Sequence, residues 1–216
     1  MKERVHSIGQ LEGTVHLPGD KSISHRAAIF NAIAHGTATV RNYSSGVDCA
    51  STLRCLRHLG ARIDTLSEDR HDGDSPTVII TGGALKEPST ILNAGNSGTT
   101  MRLLAGLLAA FPFLSIITGD RSLRSRPMGR IVAPLKLMGA DILGREEGRL
   151  APLVIHGGPL AGTEYTLPVA SAQVKSALLL AGLFAKGETV LHQPSQSRDH
   201  TERLLTAMGA PINTNG

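Results

Sequence analysis

Leu59-Gly60-Ala61-Arg62-Ile63 returns as Met138-Gly139-Ala140-Asp141-Ile142 and again as Met208-Gly209-Ala210-Pro211-Ile212. The glycines stand 79 and then 70 residues apart, and self-similarity of this kind marks a repeat architecture. Working backward from each signature gives the same order of events three times. A short strand comes first, at 13–17, 89–92 and 163–167. A polar turn follows, then an Ala/Leu-rich helix at 26–35, 100–110 and 174–186. A second strand lies at 37–41, 114–118 and 188–192, and a second helix runs into the signature.

Working forward, the first two signatures lead through a polar turn to one more strand, 77–81 and 152–156. Each of these ends in a glycine pair, Gly82-Gly83 and Gly157-Gly158. Glu146 and Glu147 fall in the turn before the second. The third unit stops at Asn213-Thr214-Asn215-Gly216, where its closing hairpin is expected, so by internal comparison the sequence reads as truncated. Strands alternating with helices define an α/β class. The first and third leading helices run into Gly36 and Gly187, as left-handed helix ends prefer.

Composition narrows the function. The chain has 216 residues, 41% of them hydrophobic, only 3% aromatic and none Trp, so the core must be Leu, Ile, Val and Ala. The longest apolar stretch, 103–117, is interrupted by Pro112 and is short for a bilayer span. The opening residues 1–10 lack a basic segment followed by an apolar one. A soluble cytoplasmic protein is expected. Cys49 and Cys55 lie six positions apart and fall on different helix faces, which predicts two unpaired thiols. No clustered Cys or His suggests a metal, and no cofactor is expected. The formal charge of +4 suits an anionic partner. Nucleic acid is a weak candidate for that partner, because four Phe and two Tyr provide few stacking platforms. A non-catalytic anion- or nucleic-acid-binding domain is the reading from another class, and a fragment that folds poorly and binds nothing is a third.

The turns that open the leading helices carry the chemistry. They read Gly19-Asp20-Lys21-Ser22-Ile23-Ser24-His25-Arg26, Gly95-Asn96-Ser97-Gly98-Thr99-Thr100-Met101-Arg102 and Ala170-Ser171-Ala172-Gln173-Val174-Lys175. Each sets hydroxyls at a helix start and a cation about one turn in. Hydroxyls cap free N–H groups, and the helix start favours an anion. Any one such turn reads first as plain capping; three in equivalent places weaken that reading in favour of a shared anion site. Arg121, Arg124, Arg126 and Arg130 form a further basic cluster, with Pro127 suited to the first turn of a helix and Pro134 predicting a kink or a late start. Near the end, Ser197 or Asp199 is expected to cap the last helix, with Arg198 beside it. No carboxylate pair stands out for general acid–base work.

Together these motifs resemble the EPSP synthase family. The stretch Leu17 to Arg26 resembles its opening signature and Gly95 to Arg102 its second. Gly119-Asp120 through Arg126-Pro127-Met128, and Ser171-Ala172-Gln173, follow in the same order and spacing. The resemblance implies an inverse α/β barrel-like domain of three βαβαββ repeats, at about 13–88, 89–162 and 163–216, the third incomplete. It implies that residues 1–12 cross to a second domain of similar fold, supplied by a C-terminal half that this sequence lacks. It implies enolpyruvyl transfer from phosphoenolpyruvate to shikimate-3-phosphate by an enzyme that is a monomer when whole and does not bind nucleic acid or membrane.

Carried over by motif, Lys21 touches both substrates. Ser22, Arg26, Ser171, Ala172, Gln173, Ser197 and Arg198 hold shikimate-3-phosphate. Gly98 and Arg126 line the phosphoenolpyruvate site with Gln173, flanked by Asn96 and Arg102. Lys21 and Arg126 are the implied catalytic residues. Ser97 and Leu103 stand where many members have Ala and Pro, and Ala172 where many have a second Ser. The related UDP-N-acetylglucosamine enolpyruvyl transferases are the nearest alternative. They use a Cys in a loop of this half, whereas neither Cys49 nor Cys55 lies near Arg121–Arg126.

Overall fold

The computed structural model describes residues 3–4, 6–7, 9–10, 12–15, 17–66 and 75–214. The second unit is the fullest. Its strand β4 (Leu92–Asn93) leads into α3 (Gly98–Leu108), β5 (Leu114–Thr118), a short α4 (Arg121–Arg124), α5 (Gly129–Leu137), β6 (Asp141–Gly144) and β7 (Leu150–His156). Its sheet has the order β4-β5-β7-β6, with β4 parallel to β5 and the other pairs antiparallel. The hairpin between β6 and β7 turns at α6 (Arg145–Gly148), where Glu146 and Glu147 adopt left-handed backbone, in keeping with the expected turn.

The first unit repeats this plan. It holds α1 (Lys21–Ile33), β1 (Gly36–Val40), α2 (Val47–His58), β2 (Arg62–Leu66) and β3 (Thr77–Gly82), in a sheet ordered β1-β3-β2. Thr37–Val40 align against Thr81–Val78 as Leu114–Ile117 align against His156–Leu153. In the third unit β8 (Glu164–Thr166) pairs parallel with β9 (Val190–His192), around α7 (Ala172–Gly182) and before α8 (His200–Ala207).

One expected strand does not form. Residues 12–15 and 17 make no ladder, and Val15 and Leu17 are 78% and 77% exposed. Their counterparts β4 and β8 pair parallel with β5 and β9, so the equivalent partner is the outer edge of β1, which pairs with β3 alone among the described strands. A β-rich pattern is not a strand until another backbone satisfies its N–H and C=O groups. His16, and 1, 2, 5, 8 and 11 among the first dozen residues, lie outside the described residues. The leading helices also begin earlier than expected, because their N-caps are Asp20, Ser97 and Ser171, and they end earlier, at Ile33, Leu108 and Gly182.

The repeated glycines now have physical reasons. Gly60, Gly139 and Gly209 all have left-handed backbone, with φ of 92°, 96° and 85°. Each closes its helix in the same way: Gly60, Gly139 and Gly209 donate to Arg57, Lys136 and Thr206, while Ala61, Ala140 and Ala210 donate to Leu56, Leu135 and Leu205. This is a Schellman closure made three times. The glycine pairs mark a second shared contact. A Cβ at Gly82 would strike the Asn31 carbonyl, and one at Gly157 the Phe111 carbonyl, both at the end of the unit's leading helix.

Those leading helices make the core. In α3, nine of 11 residues are buried, as expected of a helix that is apolar all round. Gly106 lets α3 cross α7 closely, for a Cβ there would strike Ala177. Second helices α2, α5 and α8 pack outside them. Leu, Ile, Val and Ala fill the interior, with Phe30 and Tyr43 the aromatic side chains among the fully buried residues.

Candidate active site

The starts of α1, α3 and α7 meet. Gln173, in the first turn of α7, accepts from Arg102 Nη1 at 2.8 Å and donates to Thr99 Oγ1 at 2.9 Å, both on α3. Arg26 of α1 donates through Nη2 to Ser176 of α7 at 2.6 Å. His25 of α1 joins α3 through Thr52: its Nδ1 lies 2.6 Å from Thr52 Oγ1, which lies 2.6 Å from Thr100 Oγ1. Each start is capped by a side chain. Asp20 accepts from Ile23 at 2.7 Å, Ser97 from Thr100 at 3.1 Å and Ser171 from Val174 at 3.4 Å. Ser97, one of the departures from the family pattern, thus has a structural task of its own.

Around α3 two cations gather at the helix start. Gly98 is the first residue of the helix, and a Cβ there would lie 2.5 Å from Arg102 Nη1 and 3.6 Å from Arg126 Nη1. Two guanidiniums therefore lie against the buried first residue of the helix. Arg102 is steadied by Gln173 and by the Pro127 carbonyl at 3.1 Å. Arg126 donates to the carbonyl of Asn96 at 3.3 Å and to its side-chain Oδ1. Asn96 in turn donates to Asp120 at 2.6 Å. The Leu123 N–H and Asn96 hold the Asp120 carboxyl below its ordinary range. Burial, followed by the nearby Arg126 and Arg130, lowers the pKa of Arg102. Neither arginine makes an ion pair with a carboxylate among the described residues. Such a pair of planar donors suits a phosphate or carboxylate ligand.

Around α1, α7 and α8 the cations are spent differently. Arg26 is 2% exposed, and three of its nitrogens donate to protein: to Thr201 at 2.7 Å, to the Ser22 carbonyl at 2.9 Å and to Ser176. Lys21 is exposed and pairs with Asp48 at 2.8 Å. Arg198 reaches Ser22 Oγ at 3.3 Å, so the last loop closes over the start of α1. Ser197 instead donates to Gln193 at 2.8 Å. Ala172 lies at the first position of α7, where a backbone N–H has no partner within the helix. Asp199 occupies the cap position of α8 but makes no side-chain cap bond.

Pro127 and Arg126 lie between α4 and α5, which starts at Gly129. The expected helix start at Pro127 is therefore two residues early, and Pro134 sits inside α5 rather than delaying it. Both thiols are free and buried, and desolvation raises them, Cys55 to about 11. Among the described residues no three metal-ligating side chains come together, and no helix is long and apolar enough to cross a membrane. Sequence reasoning missed Thr99, Thr201, Ser176 and Asp120, whose roles depend on contacts between elements far apart in the chain.

Three repeats with their leading helix starts converging on a cationic floor form a domain of the enolpyruvyl transferase fold. The family model for EPSP synthase (3-phosphoshikimate 1-carboxyvinyltransferase) matches residues 5–216. A 3-phosphoshikimate 1-carboxyvinyltransferase of Desulfitobacterium hafniense (strain DSM 10664 / DCB-2) is 51% identical over 216 residues, covering 99% of this chain and 48% of its own. One of Bacillus subtilis (strain 168) is 51% identical over 208 residues, covering 95% and 47%. The solved EPSP synthase of Acinetobacter baumannii superposes with a TM-score of 0.86 at 49% identity, over 94% of this chain and 45% of that one. The chain belongs to the EPSP synthase family. It spans about half the length of the curated relatives it matches.

Proposed function

We propose that this chain provides one substrate-facing half of an enzyme that transfers the enolpyruvyl group of phosphoenolpyruvate to the 5-hydroxyl of shikimate-3-phosphate. The products are EPSP and phosphate, in the shikimate pathway of aromatic amino-acid biosynthesis. The observation that carries this reading is the convergence of the starts of α1, α3 and α7 beside two guanidiniums that have no carboxylate partner among the described residues. In the reaction the ring hydroxyl adds to the enol carbon, and phosphate is then expelled. Arg126 and Gly98, with Gln173 and Asn96, receive phosphoenolpyruvate. Arg102 holds Gln173 in place between the two substrates. Ser22, Arg26, Ser171, the backbone of Ala172, Ser197 and Arg198 receive shikimate-3-phosphate. Lys21 reaches both once it exchanges Asp48 for substrate.

Neither Asp48 nor Asp120 is placed to shuttle protons, since one pairs with Lys21 and the other positions Asn96. The proton-transfer groups are assigned to the half of the family's length that this chain does not span, which closes over the site. In this reading residues 13–216 are one domain of three repeats and residues 1–12 cross to the other. The whole enzyme is a cytoplasmic monomer that needs no cofactor.

Phosphate release with both substrates tests this. The chain alone is expected to give none, because transition-state charge needs donors preorganised on every side, and adding the other half is expected to restore turnover. Turnover by the chain alone, dependent on both substrates, would contradict the assignment.

A further inference from the structure

Helix α8 is held to the body by Leu204 and Leu205 and by a set of polar contacts. Its buried residues are Thr201, Glu202 and Leu205, only the last of them apolar. Thr201 accepts from Arg26 and lies 2.6 Å from Ser176 Oγ. At the position before Ser176 in α7, Lys175 pairs with Glu202 at 2.5 Å, and both side chains are at least nine-tenths buried. The other oxygen of Glu202 is buried with no partner. A buried ion pair contributes little net stability, because desolvation offsets its attraction, and apolar residues of similar size often do as well. Such a pair is directional, however, and fixes one rotation of one helix against another. Here the helix so fixed begins at His200, two residues after the arginine that crosses to Ser22.

We propose that Lys175 and Glu202 are positioning residues for the shikimate-3-phosphate side of the site: by setting the rotation and height of α8 on α7 they hold Arg198 over Ser22. The inference rests on the proposed function for its ligand. Neither residue touches the substrate; each acts through α8. Loss of the pair lets α8 shift on its two leucines, Leu204 and Leu205, and carries Arg198 away. The α3 side of the site, tied through Arg102, Gln173 and Thr99, is left in place.

The test uses the intact enzyme and the double variant Lys175→Met/Glu202→Met, which keeps volume and removes both charges. Its melting temperature is expected to stay near that of the parent, whereas Lys175→Met alone lowers it by leaving Glu202 uncompensated. In the double variant the KM for shikimate-3-phosphate rises about tenfold, as for loss of one charge-assisted contact. The KM for phosphoenolpyruvate stays within about twofold, on the same scale. Adding Arg198→Ala to the double variant raises the shikimate-3-phosphate KM no further, since residues acting as one unit are not additive.

An unchanged KM in the double variant, or an additive effect of Arg198→Ala, overturns the proposal. Should the double variant not fold, Glu202→Gln carries the same comparison. Hydrogen exchange across 193–205 is expected to quicken in either variant, and this holds whatever the substrate is. If the parent enzyme turns over neither substrate, the functional reading fails on its own, and unchanged exchange would still overturn the positioning role.

Discussion

The starts of α3 and α1 carry the same sequence pattern, hydroxyls followed by an arginine one turn in, and end in opposite states. At α3, Arg102 and Arg126 lie half-buried against Gly98 with no carboxylate partner among the described residues. At α1, Arg26 is sealed by Thr201, Ser176 and the Ser22 carbonyl. The neighbours make the difference. A glycine at the head of α3 lets Arg102 lie directly against the backbone, whereas α8 lies across α1 and draws its arginine inward. The same motif thus leaves an arginine half-buried in one place and makes it also a tie between helices in the other.

The largest expected effects separate these two arginines. In the intact enzyme Arg126→Ala is expected to lower kcat/KM by about two orders of magnitude or more, roughly 2.7–4 kcal/mol for a transition-state donor, with little change in urea denaturation. Lys21→Ala should act on kcat/KM on a similar scale, about two orders of magnitude. Arg26→Ala should instead cost about 3 kcal/mol of stability or more, because it leaves buried partners unsatisfied. An Arg26→Ala protein of unchanged stability would break the comparison.

Acid sharpens it next. His25 ties α1 to α3 through Thr52 and Thr100, is fully buried, and has its pKa pushed down to about 4, mainly by burial. Asp48 and Asp20 raise this value, while Lys21 and Arg26 lower it further. Because the folded value lies below the ordinary 6.5, the neutral ring's contribution is complete above about pH 6.5 and is lost as pH falls toward 4. The full loss approaches about 3 kcal/mol. Urea denaturation at pH 7.5 and 4.5 should show it, with a shallower pH dependence in His25→Asn. Equal slopes would remove His25 as the link.

Gly98→Ala probes the open side more gently. Its Cβ must displace Arg102 from Gln173 or from Pro127, and the KM for phosphoenolpyruvate should rise about tenfold, the cost of one weakened charge-assisted contact. Smallest of all, Cys49→Ser and Cys55→Ser should leave kcat/KM within about twofold, since a buried thiol with a raised pKa is a poor nucleophile. Loss of activity in either would favour a cysteine-dependent transferase.

Much of this was legible in the sequence, for local reasons. The Leu-Gly-Ala and Met-Gly-Ala signatures are helix closures made by residues adjacent in the chain, so their recurrence fixed the repeat. The capping turns were legible for the same reason. The strand expected at 13–17 was not, because a strand is completed by a partner edge that lies elsewhere. Nor was the fate of Arg26, which depends on Thr201 and Ser176, 175 and 150 residues away. Glu202 gave no signal at all, since nothing local distinguishes a buried glutamate from the solvated ones.

The central claim is that the converging starts of α1, α3 and α7 form an anion half-site within this chain. Titrating the folded chain with shikimate-3-phosphate while following its backbone amides by NMR tests it most directly. Without the rest of the enzyme the site stays open to water, and charged contacts are worth less there, so a Kd on the order of 0.1–10 mM is expected. Salt should weaken it further. The account predicts shifts confined to 20–26, 96–102, 171–175 and 197–198. A folded chain showing none there up to about 20 mM ligand, twice the weakest Kd expected, would contradict it.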